Sequence, residues 1–317
     1  MWLIIIIIVL ALLIVYLGFS LIIVEVFYNK SLVRPKQNKK KSSVQKDMED
    51  ELFNDERRKE FKIAYEDIIT SSEEVEILND KGEKLKGRLL KRNDDPLWVI
   101  CAHGWMSNKE NDLAFSGKCF YDHGYNILMI DHYAHGKSEG KRIGFGINDA
   151  PNVLKWINYL NERMNNPQLI LFGVSMGAST LLYLSSYEEL PSNVKCIIAD
   201  CGFTSPYEEF SYLAKCHYHL PLFPTMPFMR IKTKRLNGFD MKTSTYDSVK
   251  KSKVPILYIC GDKDTFVPLK FTKKNYELTS SEKELLIVKG AIHGSCYMTN
   301  KEEYYRYVSS FTKKYLS

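Results

Sequence analysis

Ser175 stands in Gly173-Val174-Ser175-Met176-Gly177, a G-x-S-x-G pattern between the apolar run Leu169-Ile170-Leu171-Phe172 and a helix-like segment. A serine hydroxyl becomes a useful nucleophile only when a base takes its proton. A sharp strand-to-helix turn is the arrangement that lifts such a hydroxyl clear of a sheet, and flanking glycines let neighbouring backbone close in around it. The following helix would aim its positive end at the serine and favour an oxyanion there. On such a turn the chain order is Ser, acid, His. His293, in Gly290-Ala291-Ile292-His293-Gly294, directly follows an apolar run and is the only histidine after His219. Asp262 and Asp264, in Gly261-Asp262-Lys263-Asp264-Thr265-Phe266-Val267-Pro268, compete for the carboxylate that orients the base, and Asp264 is favoured. Two backbone N–H donors complete this chemistry, one after the nucleophile and one from an upstream loop, which points to Met176 and to Trp105 in His103-Gly104-Trp105. His103 itself is read as a structural residue that holds the loop.

These residues need a frame. Short apolar runs at 73–78, 84–91, 98–102, 126–130, 169–172, 194–199, 254–259 and 284–288 read as strands. Helical segments are expected at 113–123, 153–164, 176–187, 272–278 and 303–315, and a lead-in helix within 51–65. Strands alternating with helices imply βαβ units and a mostly parallel sheet covered on both faces. The candidate residues then fall in loops at the carboxyl ends of strands, where open α/β sheets build their sites.

From residue 65 to 317 the chain resembles the α/β-hydrolase family. The resemblance rests on the elbow at 173–177, His103-Gly104-Trp105, Gly261 to Pro268, and Asp131-His132-Tyr133-Ala134-His135-Gly136-Lys137-Ser138, where the family commonly has D-x-x-G-H-G-x-S. It is most similar to membrane-anchored bacterial members known as Bem46-like or serine aminopeptidase-like hydrolases. The resemblance implies an α/β-hydrolase fold with an eight-stranded, mostly parallel sheet and an inserted cap. It implies a triad of Ser175, Asp264 and His293, and an oxyanion hole from the backbone amides of Trp105 and Met176. Ala134 departs from the pattern in a segment that is usually structural, so the triad is untouched.

The net charge of +6 is unevenly spread: residues 1–41 hold six basic side chains and one acidic, and the remainder holds 38 basic and 37 acidic. A nearly neutral body lacks the basic face that a nucleic acid would need. The first 24 residues carry no charge, and a helix of that length spans about 36 Å, against about 30 Å of bilayer hydrocarbon. No basic residue precedes this run and no Ala-x-Ala follows it, so a retained membrane helix is expected rather than a cleaved signal. The basic cluster after it predicts a single-pass cell-membrane protein with the body facing the cytoplasm. Cys101, Cys196 and Cys260 lie in apolar runs, as buried reduced thiols do. The expected organisation is a membrane helix at 1–24, a tether and lead-in helix at 25–64, and a hydrolase domain at 65–317.

Residues 203–253 are too long for a simple connection and read as a cap. Phe203, Tyr207, Leu222 and Phe223 are its candidate substrate-binding residues, and Phe210, Tyr212 and Tyr218 add to its apolar content. Its basic residues, Lys215, Arg230, Lys232, Lys234, Arg235 and Lys242, face either anionic lipid or solvent. Gly136-Lys137-Ser138 is no P-loop, since Asp131 occupies the required glycine, and Gly144-Phe145-Gly146 lacks the third glycine of a dinucleotide fingerprint. Cys216, His217 and His219 have no second ligand pair at zinc spacing, so no metal and no cofactor is expected. The reading is a membrane-anchored serine hydrolase cleaving carboxylic esters, with a small-molecule ester or acyl substrate. Its rivals are a peptidase, thioesterase or acyltransferase on the same residues, or a non-catalytic tethered binding module.

Overall fold

The computed structural model describes residues 1–35 and 55–316. Eight strands form one sheet in the order β1-β2-β4-β3-β5-β6-β7-β8. They are β1 (Glu73–Leu78), β2 (Lys84–Leu90), β3 (Leu97–Ala102), β4 (Asn126–Ile130), β5 (Gln168–Val174), β6 (Val194–Asp200), β7 (Ile256–Gly261) and β8 (Lys283–Val288). β1 and β2 form an antiparallel hairpin, β2 runs antiparallel to β4, and every later neighbour is parallel. The hairpin turn is set by Asn79, whose side-chain oxygen accepts the amides of Lys81 and Glu83, both at 2.9 Å.

The expected fold is present, with shifted element ends. The long N-terminal helix, α1, runs Trp2–Ser31, and α2 covers Asp55–Ser71. α3 (Lys109–Asp122) begins earlier than expected because Asn108 caps it, accepting the Asn111 amide at 2.8 Å. α4 (Ala150–Arg163) buries Val153, Trp156, Ile157 and Leu160, the three-and-four spacing of one helix face. α5 (Met176–Leu184) follows β5 and is wholly buried, packed between sheet and neighbouring helices. Beyond the cap come α9 (Leu269–Leu278), the single turn α10 (Cys296–Thr299) and α11 (Lys301–Lys313). Apolar side chains from both faces of the sheet form two separate cores. The strands between them are buried along nearly their whole length, as a doubly covered parallel sheet requires.

A third core lies above the carboxyl ends of the strands. It joins Val24, Phe27, Tyr28 and Leu32 to Phe145, Met176 and the cap residues Phe203, Phe210, Met226 and Met229. The cap itself is α6 (Pro206–Cys216), α7 (Thr225–Asn237) and α8 (Thr245–Val249). This packing corrects the expectation of a polar tether from residue 25. α1 continues to Ser31, Leu32 is fully buried, and Arg34 donates to the carbonyls of Ser138 and Gly136 at 2.5 and 2.7 Å. Apolar Phe27, Tyr28 and Leu32 have a partner surface on the cap, and the helix persists to use it. The rest of the expected tether, residues 36–54, lies outside the described residues.

Candidate active site

Three loops at the carboxyl ends of β5, β7 and β8 converge. β5 ends at Val174 and α5 starts at Met176, so Ser175 alone turns the chain, with φ 54° and ψ −115°. This left-handed conformation is strained for a residue with a side chain. The turn closes because its flanks lack side chains: a Cβ on Gly177 would stand 2.1 Å from the Ala102 carbonyl oxygen, and one on Gly173 would stand 2.5 Å from the Gly177 backbone. The geometry presents the Ser175 hydroxyl to His293, with Oγ 3.0 Å from Nε2. His293 Nδ1 lies 2.7 Å from Asp264 Oδ2. The second Asp264 oxygen accepts the amides of Phe266 and Val267 at 2.9 and 2.8 Å, which fixes the carboxylate. Asp262 is turned elsewhere and accepts the Gly290 amide at 2.6 Å.

Ser175, Asp264 and His293 are all buried. Burial alone would lower the imidazole pKa, but the charge and hydrogen bond of Asp264 outweigh it and hold the pKa above the ordinary 6.5. Cys201 is buried beside them, its sulfur within 4.8 Å of donor atoms on Asp264 and His293. Burial pushes its thiol well above the usual range, so it stays protonated and is a poor metal ligand.

The loop after β3 lies against Ser175. Asp112 holds it: Oδ2 accepts the Gly104 amide at 2.7 Å, and its other oxygen bonds the Ser107 hydroxyl. His103 behaves as a structural residue. Its Nδ1 is 2.7 Å from the Gly104 carbonyl and its Nε2 accepts the His132 amide at 3.1 Å. Burial lowers its pKa well below the ordinary value, so the neutral ring donates through Nδ1 and accepts through Nε2. Trp105 follows in this loop. Met176, as the first residue of α5, carries an amide that no carbonyl of its own helix can reach.

A cavity of about 210 Å³ opens beside the serine. Its walls are Phe115, Phe172 and Trp105 from the body, Phe266 beside His293, Phe210, Leu213 and Tyr218 from the cap, and Phe27 and Ser31 from α1. The four expected substrate-binding residues do not line it. Phe203 is buried and packs against Phe145, ring centres 4.9 Å apart. Tyr207 sits about one helical turn before Phe210 and carries Lys242 over its ring at 5.1 Å. Leu222 and Phe223 lie on the outer side of the connection between α6 and α7, where Phe223 is 73% exposed. Their apolar character is spent on the cap's own packing and outer surface. The cap cations are also partly engaged: Arg230 pairs with Asp240 at 2.6 Å, and Lys232 pairs with Glu25 and lies 4.5 Å over the Tyr28 ring.

Sequence reasoning missed Asp112, Asp200, Phe27 and Ser31. Asp200, the last residue of β6, lines the cavity and receives the Tyr304 hydroxyl at 3.0 Å; burial raises its pKa to about 6. A carboxylate at a strand's carboxyl end was the available signal. Nothing in the spacing of Phe27 and Ser31 ties a helix at the N-terminus to this pocket.

Residues 98–232 match the family model described as the alpha/beta hydrolase fold. The chain is 30% identical over 253 residues to the uncharacterized protein YqkD of Bacillus subtilis, covering 77% of this chain and 82% of that one. It is 26% identical over 167 residues to the lysophosphatidylserine lipase ABHD12 of Danio rerio, covering 51% of this chain and 41% of that one. Among solved structures, the Pyrococcus furiosus esterase Pf2001 superimposes with a TM-score of 0.65 at 23% identity, covering 80% of this chain and 94% of that one. An elbow after β5, an acid after β7 and a histidine after β8, on a sheet of this strand order, agree with these matches: the chain belongs to the α/β-hydrolase family.

Proposed function

We propose that this hydrolase cleaves carboxylic esters through an acyl-enzyme on Ser175, anchored in the cell membrane by α1 with its body facing the cytoplasm. His293 Nε2 takes the Ser175 proton as Oγ attacks the carbonyl carbon. Asp264 holds the imidazole in the tautomer that leaves Nε2 free, and stabilises the imidazolium that forms. The oxyanion is met by the amides of Met176 and Trp105. His293 then protonates the leaving alcohol, and water repeats the sequence in reverse to release the acid.

The observation that carries this reading is the unbroken hydrogen-bonded chain from Ser175 through His293 to Asp264 at the edge of an aromatic cavity. Ester cleavage is favoured because that cavity offers aromatic walls and, among the described residues, no lysine or arginine to hold a peptide carboxylate. The relatives' names, esterase and lysophosphatidylserine lipase, agree in bond class. The anchor rests on α1, a 30-residue helix long and apolar enough to cross a membrane. The facing rests on Lys30 and Arg34 and the lysines after them. A fluorophosphonate, which phosphonylates an activated serine with loss of fluoride, should label the wild type and leave Ser175→Ala unlabelled. Equal labelling of both rejects the nucleophile. Faster turnover of aminoacyl anilides than of p-nitrophenyl esters rejects the ester preference.

A further inference from the structure

α1 does more than reach the membrane: it supplies part of the catalytic cavity. Phe27 lines the cavity and meets two other lining residues edge-on, Phe210 at 5.5 Å and Tyr218 at 5.9 Å between ring centres. Ser31, one turn on, also lines it, and its carbonyl accepts the Trp105 indole N–H at 2.8 Å. The end of α1 is therefore bonded to the same loop that would supply an oxyanion donor. α1 is fixed along its length as well: the Tyr28 hydroxyl donates to Asn237 of α7 at 2.5 Å, and Lys232 of α7 pairs with Glu25.

With α1 taken as the proposed membrane span, exposure along the helix positions the bilayer. From Trp2 to Phe19 the side chains are exposed, apart from half-buried Leu17, and Ser20 is the first buried residue. Eighteen residues of helix span about 27 Å, close to the ~30 Å hydrocarbon thickness. Phe27 lies eight residues further, about 12 Å along the axis. The cap reaches up to the last turn of that exposed stretch, since the Tyr16 hydroxyl donates to the Phe223 carbonyl at 2.5 Å and Phe223 stands 73% exposed. With α1 as the proposed span, the cavity lies just beneath the membrane surface, with Phe27 of that same helix in its wall. Its volume of about 210 Å³ is below the ~300–1,000 Å³ of pockets that enclose a drug-sized ligand. A long acyl chain exceeds that volume, and the wall formed by Phe27 and exposed Tyr218 leads from the cavity along α1.

We propose that the substrates are long-chain acyl esters drawn from the bilayer, and that Phe27 of the membrane helix is the residue that sets how long a chain is accepted. The proposal rests on Ser175 being the nucleophile, and its test separates the two. Full-length protein in phosphatidylcholine vesicles is labelled with methyl, octyl and hexadecyl fluorophosphonates, and the rates are compared. Wild type should label fastest with the longer probes. Phe27→Ala should raise the hexadecyl-to-octyl rate ratio about tenfold and Phe27→Trp should lower it by about as much, since each pocket methylene is worth roughly 10–200-fold in discrimination. Val26→Ala, an exposed neighbour on α1, should leave the ratio at the wild-type value. Phe27→Leu gives the same readout with a smaller shift if Phe27→Ala folds poorly. Methyl labelling as fast as hexadecyl, or a ratio indifferent to residue 27, overturns the proposal while leaving the nucleophile standing. No labelling by any probe overturns the nucleophile, and this inference falls with it.

Discussion

Two regions meet at Ser175 and are built on opposite plans. The body contributes residues from short loops whose backbone is pinned at almost every step. Ser175 is forced by the packing around Gly173 and Gly177, Asp264 by two amides of its own loop, and the segment around Trp105 by Asp112. The upper region, α1 with the cap, contributes side chains from segments remote in sequence, brought together mainly by apolar packing with a few polar ties: Phe27, Phe210, Leu213 and Tyr218. Reaction chemistry needs atoms fixed within fractions of an ångström, which hydrogen bonds and backbone sterics supply. Selection among acyl groups needs only volume and apolar surface, which helices can supply and exchange.

That contrast can be broken most directly at the serine. Ser175→Ala should lower kcat on p-nitrophenyl esters by about 10⁶, with binding of a non-hydrolysable analogue retained. Asp264→Asn should cost about 10⁴ in kcat by favouring the wrong tautomer of His293, whereas Asp262→Asn should cost far less, because Asp262 serves the Gly290 amide. A comparable loss in Asp262→Asn would show that the loop, not the carboxylate, carries the effect. A third measurement is the pH profile of kcat/KM. The base must be neutral and its pKa is raised, so activity should fall about tenfold per unit as pH drops below a midpoint lying above 6.5. A midpoint below 6.5 would mean that burial, rather than Asp264, governs the imidazole. On the other side of the comparison, Leu213→Ala in the cap should change kcat/KM by about tenfold or less, and mainly through KM, as loss of uniform binding does. Tyr207→Ala, off the cavity, should have the smallest effect, within about twofold in kcat/KM, inside the range of surface changes.

The same division explains what the sequence made legible. The strands and the elbow are written locally, as apolar runs of fixed length and as glycines spaced around one serine, so their positions were readable to within a few residues. Asp264 was distinguishable from Asp262 only by preference, because both sit in one loop, and what separates them is which oxygens face His293 and which face Gly290. The cavity wall was not legible. Phe210 and Tyr218 stand in the cap among other aromatics, and their neighbours Tyr207, Leu222 and Phe223 have the same composition but face elsewhere. Phe27 was hidden for a different reason. A run of membrane-like residues looks the same whether its last turns meet water, lipid or protein, and only the fold reveals that α7 and Phe210 wait there. Asp200 and Asp112 were hidden because an aspartate at a strand end or in a first helical turn has ordinary local reasons to be there.

The continuity of α1 into Ser31 and Leu32 has a mechanical consequence. A hydrolase on a loose leash would tumble beneath the membrane and meet lipids from any side. Here the helix is an axle keyed into the body at Tyr28, Ser31 and Arg34. With α1 as the proposed membrane span, the protein would spin about the membrane normal and drift in the plane, but its mouth would stay turned toward the leaflet. Every lipid would then be approached from one direction, and search would be reduced to two dimensions.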